Sequence, residues 1–369
     1  MKIVLTGAGG GHFYPLIAVA LRVRKEAFIQ KILQPDFYFF SDKPYDEEAL
    51  FGIECKFVEI PAGKLTLYFS LQSFTGFFKT AWGVIRAVVK LYSIYPDVVF
   101  AKGGYASFPT LFAARILSIP VIVHESDTVP GRVTTWAGKF AERVALSYPE
   151  AAPFYPAEKV ALTGQPIRDE LLPEEDFFRS YDRKERPVIL VFGGSQGSQR
   201  INDALLSILP TVLNSYDVVH QTGIDNIEVV KEATKSILSE HEFKDRYYAE
   251  GFIDVSLFYP KVDLVVTRAG SSMFEMVEWR LPMIVIPIPE TVSRDQRTNA
   301  YTMAGYGAAT VIEEENLGPN ILVSAITRIL DDEKEYMNIV RHAERVHSSR
   351  QAASTIAREI IRISLSHMS

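Results

Sequence analysis

With 369 residues the chain has room for two domains and a sizeable core. Its 47% hydrophobic and 23% charged residues describe a soluble globular protein. The net charge of −6 argues against nucleic acid as the main partner, because neutralising phosphates needs a surplus of Lys and Arg. The single cysteine, Cys55, cannot close an internal disulfide and fits a reducing compartment. With seven scattered histidines it makes no zinc-type cluster. The apolar N-terminal run is too short for a signal peptide, and no run approaches the ~20 residues of a spanning helix. A cytoplasmic location without an anchor of its own is expected.

Ile3-Val4-Leu5 reads as a strand, Thr6-Gly7-Ala8-Gly9-Gly10-Gly11-His12 as a glycine turn, and residues 15–24 as the start of an amphipathic helix. Glycines let the backbone bend sharply and approach a ligand, and a helix start offers free N–H groups and a partial positive charge suited to phosphate. No Gly-Lys-Ser/Thr follows, which excludes a Walker loop, and His12 holds the third glycine position of the dinucleotide fingerprint. A group that accepts a proton near pH 7 therefore sits at the mouth of an anion site; the alternative is a polar cap on a helix start.

Residues 36–41, 55–60, 97–101 and 120–124 read as further strands, with a helix over 108–117. Short apolar strands alternating with helices signal a parallel sheet covered on both faces. The residues after each strand then crowd the binding edge: Gly7 to His12, Lys102-Gly103-Gly104-Tyr105 and His124-Glu125-Ser126-Asp127. His124 stays open between a chemical role and a bond to a backbone carbonyl. Prolines break the pattern between Pro149 and Pro187, which reads as the interdomain region and holds one compact motif, Thr163-Gly164-Gln165-Pro166-Ile167-Arg168.

The architecture then restarts. Residues 187–192 form a strand, Gly193-Gly194-Ser195-Gln196-Gly197 a second glycine turn, and 201–213 a helix. This turn reads as a diphosphate cradle with the Ser195 hydroxyl among its donors, or as a tight structural turn. Strand–turn–helix units follow at 262–272 and 283–299. Glu275, early in the helix opened by Gly270-Ser271-Ser272, either accepts ribose hydroxyls or simply answers the helix dipole. Asp295-Gln296-Arg297-Thr298-Asn299 opens another helix that reaches a sugar or phosphate, or faces solvent. Residues 331–369 are charged and helical, with no strand signal.

Between Glu59 and Asp97 there is no acidic residue, while Lys64, Lys79, Arg86 and Lys90 are present among eight aromatics. On a helical projection Phe74, Phe78, Ala81, Ile85 and Tyr92 form one stripe. Lys79, Arg86 and Lys90 form another, with Trp82 and Val89 between them. One reading is a core helix with a basic solvent face. The other is an interfacial surface meeting anionic headgroups, with the preceding residues 65–69 exposed.

In order and spacing these motifs resemble the MurG family of N-acetylglucosaminyltransferases over nearly the whole chain. The resemblance rests on Gly7 to His12 with Pro15, Gly103-Gly104-Tyr105-Ala106-Ser107, His124-Glu125, Gly164-Gln165-Pro166-Ile167-Arg168, Gly193 to Gly197, Arg268-Ala269-Gly270-Ser271, and Gln296 with Asn299-Ala300. It implies an α/β chain of two Rossmann-like domains, their parallel sheets facing across a cleft (the GT-B fold). Residues 1–163 would take the acceptor, 164–186 would link, 187–344 would take the sugar nucleotide, and a helix over about 345–369 would pack back on the first domain. The implied reaction moves N-acetylglucosamine from UDP-N-acetylglucosamine to the C4 hydroxyl of the muramoyl sugar of undecaprenyl-linked lipid I. Lipid II forms with inversion and without metal or cofactor.

By the same resemblance His12 is the general base, and Gly9, Gly10, Gly11, Tyr105, Glu125 and Asp127 meet the acceptor. Arg168, Ser195, Gln196, Gly197, Gly270, Ser271, Ser272, Glu275, Gln296 and Asn299 meet the UDP-sugar, with Ile253 reading uracil through its backbone. The acid-free stretch matches the family's docking region, with Phe69, Phe74, Phe78, Lys79, Trp82, Arg86 and Lys90 on anionic lipid at the cytoplasmic side of the cell membrane, where other cell-wall synthesis proteins are further partners. Family members usually have Thr where Gly9 stands and Asn where Asp127 and Gln165 stand, so Asp127 competes with His12 as base. The segment from Arg268 to Glu275 is one residue shorter than common, and Asp295 replaces a frequent Gln. Rival readings are a transferase acting on diacylglycerol, a UDP-N-acetylglucosamine 2-epimerase, and a silent membrane-recruiting subunit. An NAD enzyme using Asp42 on ribose is opposed by His12 and the second glycine turn.

Overall fold

The short apolar runs become parallel strands. The computed structural model describes residues 1–63, 71–181, 185–194, 197–289 and 294–368. They divide into two units, Met1–Asp169 with Ser349–Ser369, and Glu170–Ser348. The first holds β1 (Lys2–Thr6), α1 (Phe13–Ile29), β2 (Asp36–Ser41), α2 (Glu47–Gly52), β3 (Lys56–Glu59), α3 (Leu71–Ile94), β4 (Val98–Ala101), α4 (Phe108–Ile116), β5 (Val121–Glu125), α5 (Arg132–Gly138), β6 (Arg143–Leu146) and β7 (Val160–Leu162). The second holds β8 (Val188–Phe192), α6 (Gln199–Val212), β9 (Asp217–Gln221), α7 (Ile227–Ile237), β10 (Tyr247–Glu250), β11 (Leu264–Thr267), α8 (Met273–Glu278), β12 (Met283–Val285), α9 (Arg294–Gly305), β13 (Thr310–Val311), α10 (Pro319–Leu330) and α11 (Glu333–Ala343). The last helix, α12 (Ala352–Met368), belongs to the first unit.

Strand order is β3-β2-β1-β4-β5-β6-β7 in one sheet and β10-β9-β8-β11-β12-β13 in the other. Every pairing in both is parallel, as the alternating pattern requires. The expectation of two Rossmann-like parallel-sheet domains is met. Each sheet winds outward in both directions from a central pair, β1/β4 and β8/β11. Beyond the carboxyl ends of such a pair the connections diverge and leave a crevice, the usual ligand site of open parallel sheets.

Successive side chains of a strand alternate faces, so both faces of β1 are apolar. Ile3 and Leu5 join Phe37, Phe39 and Phe100 beneath α1 and α12, where Leu16, Val19, Ile356 and Ile360 are fully buried. Val4 joins Phe40, Val99 and Leu111 on the other face, with Ala87 and Leu91 of α3. Each such aliphatic side chain stabilises by about 1.5–3 kcal/mol.

The helix α3 turns out differently from its hydrophobic projection. Phe78, Ala81, Ile85 and Tyr92, which one of the two readings put in the core, are exposed, and the large ones with Trp82 and Val89 are 55–73% accessible. Its buried stripe is Gly76, Thr80, Gly83, Ala87 and Leu91. The cause is close approach: a Cβ on Gly83 would stand 1.8 Å from the Pro61 carbonyl, and Gly63 N donates to Thr80 Oγ1 at 3.0 Å. Small residues let the backbones meet, and the bulky apolar ones are left outside. Phe69, and the side chain of Phe74, lie outside the described residues.

Candidate active site

At the β1/β4 switch point the two turns meet through His12. Its Nδ1 lies 3.0 Å from the Lys102 carbonyl. A carbonyl only accepts, so in the neutral ring Nδ1 carries the proton and Nε2 the lone pair. Nε2 has no hydrogen-bond partner among the described residues, and the ring is partly exposed. His12 stands at the N-cap of α1 without making a cap bond, so the polar-cap reading fails. Burial holds its pKa below the ordinary value, helped by the Lys102 charge and opposed by Asp127.

The neighbouring glycines are roofed by an aromatic pair. A Cβ on Gly9 would fall 2.3 Å from the Tyr45 ring, so Tyr45 fills the space a Thr would need there. Tyr45 and Tyr105 each donate a hydroxyl proton to Asp42, both at 2.7 Å. Asp42 is therefore engaged, which removes the ribose ligand of the NAD reading. Gly11 is exposed and Asp127 partly so.

Glu125, which the resemblance puts on the acceptor, is bonded to the backbone of its own loop. It is 4% exposed, and its carboxylate accepts from Ser126 N at 2.8 Å, Asp127 N and Gly131 N at 3.1 Å, and the hydroxyls of Thr134 and Tyr155. Burial pushes its pKa up to about 7, with the Asp127 charge adding to it. This carboxyl shapes the loop that carries Asp127. His124 resolves to the structural reading, its Nε2 3.0 Å from Gly164 O and its Nδ1 2.7 Å from Lys102 Nζ. Arg168 lies over the Tyr14 ring of α1 at 5.0 Å.

At the β8/β11 switch point of the second unit, Gly197 N closes the glycine turn on Gly194 O at 3.0 Å, and Ser198 caps α6 through Ile201 N. Ser195 and Gln196 lie outside the described residues. Arg268, at the end of β11, donates to Ser198 Oγ at 2.6 Å, to Glu314 at 2.6 Å, and to the carbonyls of Ile286 and Pro287. One buried guanidinium thus fixes the start of α6 to the loops after β11 and β12. Gly270, Ser271 and Ser272 are partly exposed at the start of α8, and Glu275 accepts from the buried Tyr259 hydroxyl at 2.8 Å. Gln296 accepts from Ile288 N at 3.4 Å. Asn299, in α9, is 2% exposed.

Pattern reading missed Gln221 at the end of β9. Its side chain donates to Gly194 O at 2.9 Å and accepts from Ile253 N at 3.1 Å, tying the glycine turn to the 253 loop. A uracil contact through the Ile253 backbone would therefore fall to its carbonyl. Tyr45 was missed as well, and Lys102 was noted only as part of a turn. The available signal was a lysine set between four apolar strand residues and two glycines. Together the two sites offer a proton acceptor beside one glycine turn and N–H donors at another helix start, the parts needed to activate a hydroxyl and stabilise a leaving diphosphate.

Residues 3–146 match the glycosyltransferase family 28 N-terminal domain, and residues 188–356 its C-terminal domain. The chain is 31% identical, over 97% of its length and 99% of the relative's, to UDP-N-acetylglucosamine–N-acetylmuramyl-(pentapeptide) pyrophosphoryl-undecaprenol N-acetylglucosamine transferase 2 of Bacillus cereus. A Clostridium perfringens transferase of the same name is 32% identical over 92% of this chain and 93% of its own. Among solved structures, MurG of Acinetobacter baumannii has a TM-score of 0.74 at 21% identity, covering 98% of this chain and 99% of that one. A complex of S. aureus MnaA with UDP has 0.70 at 16%, covering 99% and 97%. Both structures share the fold. The end-to-end match to the Bacillus transferase settles the family: the chain belongs to the MurG group of glycosyltransferase family 28.

Proposed function

We propose that this chain transfers N-acetylglucosamine from UDP-N-acetylglucosamine to the C4 hydroxyl of the muramoyl sugar of lipid I, giving lipid II. The observation that carries the reading is the Nε2 lone pair of His12, unpartnered among the described residues and beside the glycine turn of a chain similar along its whole length to transferases named for that acceptor. His12 Nε2 takes the hydroxyl proton as the oxygen attacks the anomeric carbon. The bond to UDP breaks on the opposite side, which inverts the configuration. The backbone of Gly9 to Gly11 approaches the acceptor pyrophosphate, and Tyr105 and Asp127 line the same mouth. The turn over 193–197 and the start of α6 take the leaving diphosphate, Ser271 and Ser272 flank it, Glu275 meets the ribose, and Gln296 the sugar. The test is incubation of labelled UDP-N-acetylglucosamine with a lipid I analogue, with diacylglycerol, and with no acceptor. Label should enter only the lipid I product. Label in diacylglycerol, or an isomerised sugar nucleotide without acceptor, would replace the reading with one of its rivals.

No helix among the described residues is long and apolar enough to cross a membrane. We further propose peripheral docking at the cytoplasmic face of the cell membrane, through the outer side of α3. Its support is the exposed row Phe78, Trp82, Ile85, Val89 with Lys79 and Lys90 alongside; Arg86 is shared with Glu59 at 3.8 Å. Each lysine near an anionic surface contributes about 1 kcal/mol. Replacing Lys79 and Lys90 by Ser should lower partitioning onto phosphatidylglycerol vesicles by about thirtyfold at low salt, and less at high salt. Equal partitioning of the two proteins would exclude docking by this face.

A further inference from the structure

We infer that Lys102 is a positioning residue for the transfer: its buried ammonium, locked beneath the acceptor loop, keeps the His12 imidazole neutral and ready to accept a proton. This rests on the reading of His12 as the base.

Lys102 is 1% exposed, and a lysine is almost never so buried without a purpose to its charge. Its Nζ has three neighbours: His124 Nδ1 at 2.7 Å, Ser126 Oγ, and Gln165 Oε1 at 3.3 Å. Each of the three is an acceptor. His124 gives its one ring proton from Nε2 to Gly164 O, so Nδ1 holds a lone pair. The Ser126 hydroxyl proton goes to Gln165 Oε1 at 3.0 Å, where Ser147 also donates at 3.0 Å. Three acceptors fit the three N–H groups of an ammonium, whereas an amine has only two. The cage therefore offers an acceptor to every N–H of the charged form, against the burial that disfavours it.

The same residue touches the base directly, because the Lys102 carbonyl accepts from His12 Nδ1 at 3.0 Å. One residue thus fixes the tautomer with its backbone and opposes the imidazolium with its side chain. The other groups facing this pair are Asp127, which favours the imidazolium, Glu125 with Tyr155 and Thr134 bonded to it, and His124, which burial and Lys102 keep neutral. Across the turn, Asp42 is taken up by Tyr45 and Tyr105. Burial brings the Lys102 pKa down to about 7, with Glu125 and Asp127 acting against it. As pH falls, the caged amine takes up a proton near neutrality, and its charge then delays protonation of His12. The base stays active to lower pH than an isolated imidazole would.

The test is the pH dependence of kcat/KM with the lipid I analogue. In Lys102→Met the acid limb should move to higher pH by about one unit, a tenfold loss of rate well below the limb. Lys102→Arg, which keeps the charge, should restore the limb toward its original position. Ser126→Ala removes one acceptor of the cage and should move the limb the same way by less; it decides the matter if Lys102→Met does not fold. Titration of the 15N-labelled His12 ring should follow each limb. An unmoved limb in folded Lys102→Met, or in Ser126→Ala if that variant must decide, overturns the inference. His12→Ala separates the two ideas: its loss of transfer beside unmoved limbs leaves the base reading standing without this one, and retained transfer removes the base reading itself.

Discussion

Replacing His12 by Ala abolishes most transfer while UDP binding persists. A sugar hydroxyl near pH 7 is a poor nucleophile, and a positioned base that takes its proton contributes typically 10²- to 10⁴-fold. His12 is the one described group at the β1/β4 switch point with a lone pair, a fixed tautomer and partial exposure together. The second unit does not contain it, so the affinity for UDP by calorimetry should stay within a factor of two or so of the parent. Initial rates with the lipid I analogue give the decisive reading, since transfer within a few-fold of the parent would take His12 out of the base role. Asp127 is the competitor, and the comparison with Asp127→Asn ranks the two carriers of the proton.

The second large effect is expected from Arg268→Met. The guanidinium satisfies Ser198 Oγ, Glu314 and two carbonyls at once. Its ion pair with Glu314 is 10% and 14% accessible. Arg200 stays 3.8 Å from Glu314, but its own side chain is 74% accessible, so it replaces little. Removing one partner of a mostly buried pair costs about 3–5 kcal/mol. For a unit of this size that lowers the midpoint of thermal unfolding by roughly 10 °C. UDP affinity should fall too, because the start of α6 loses its tie to β11. Adding Glu314→Leu should recover part of the stability but not the UDP affinity. A single variant that melts with the parent would show that the pair carries no net stability.

What is legible in the sequence is mostly what lies in the middle of a sheet. β1, β4, β8 and β11 are buried on both faces, so their sequences carry apolar runs next to glycine turns, and β2 and β5 carry apolar runs without one. Edge strands are harder: β10 is half-exposed and mostly polar, and β7 is only three residues long, largely exposed, and inside the proline-rich stretch that reads as interdomain. The face of α3 stayed open between two readings because size alone does not set burial; contact distance selected Gly76, Gly83 and Ala87 for the inner side. At the sites, His12 and the glycine turns announce themselves by type and position. Lys102, Gln221 and Tyr45 do not, since each acts through partners tens of residues away that only the folded chain brings together. The loop bonds of Glu125 were hidden for the same reason: a carboxylate that builds a loop and one that greets a ligand look alike in one dimension.

The return of α12 to the first unit has a consequence for biosynthesis. Residues 353–363 supply the apolar cover over Leu16, Ile17 and Val23. The ribosome reaches them only after the entire Glu170–Ser348 unit has been made. At 5–20 residues per second that is an interval of roughly 10–40 s. The half that begins first is thus the last to finish, and through that interval its greasy flank is open to whatever chaperone or neighbour arrives.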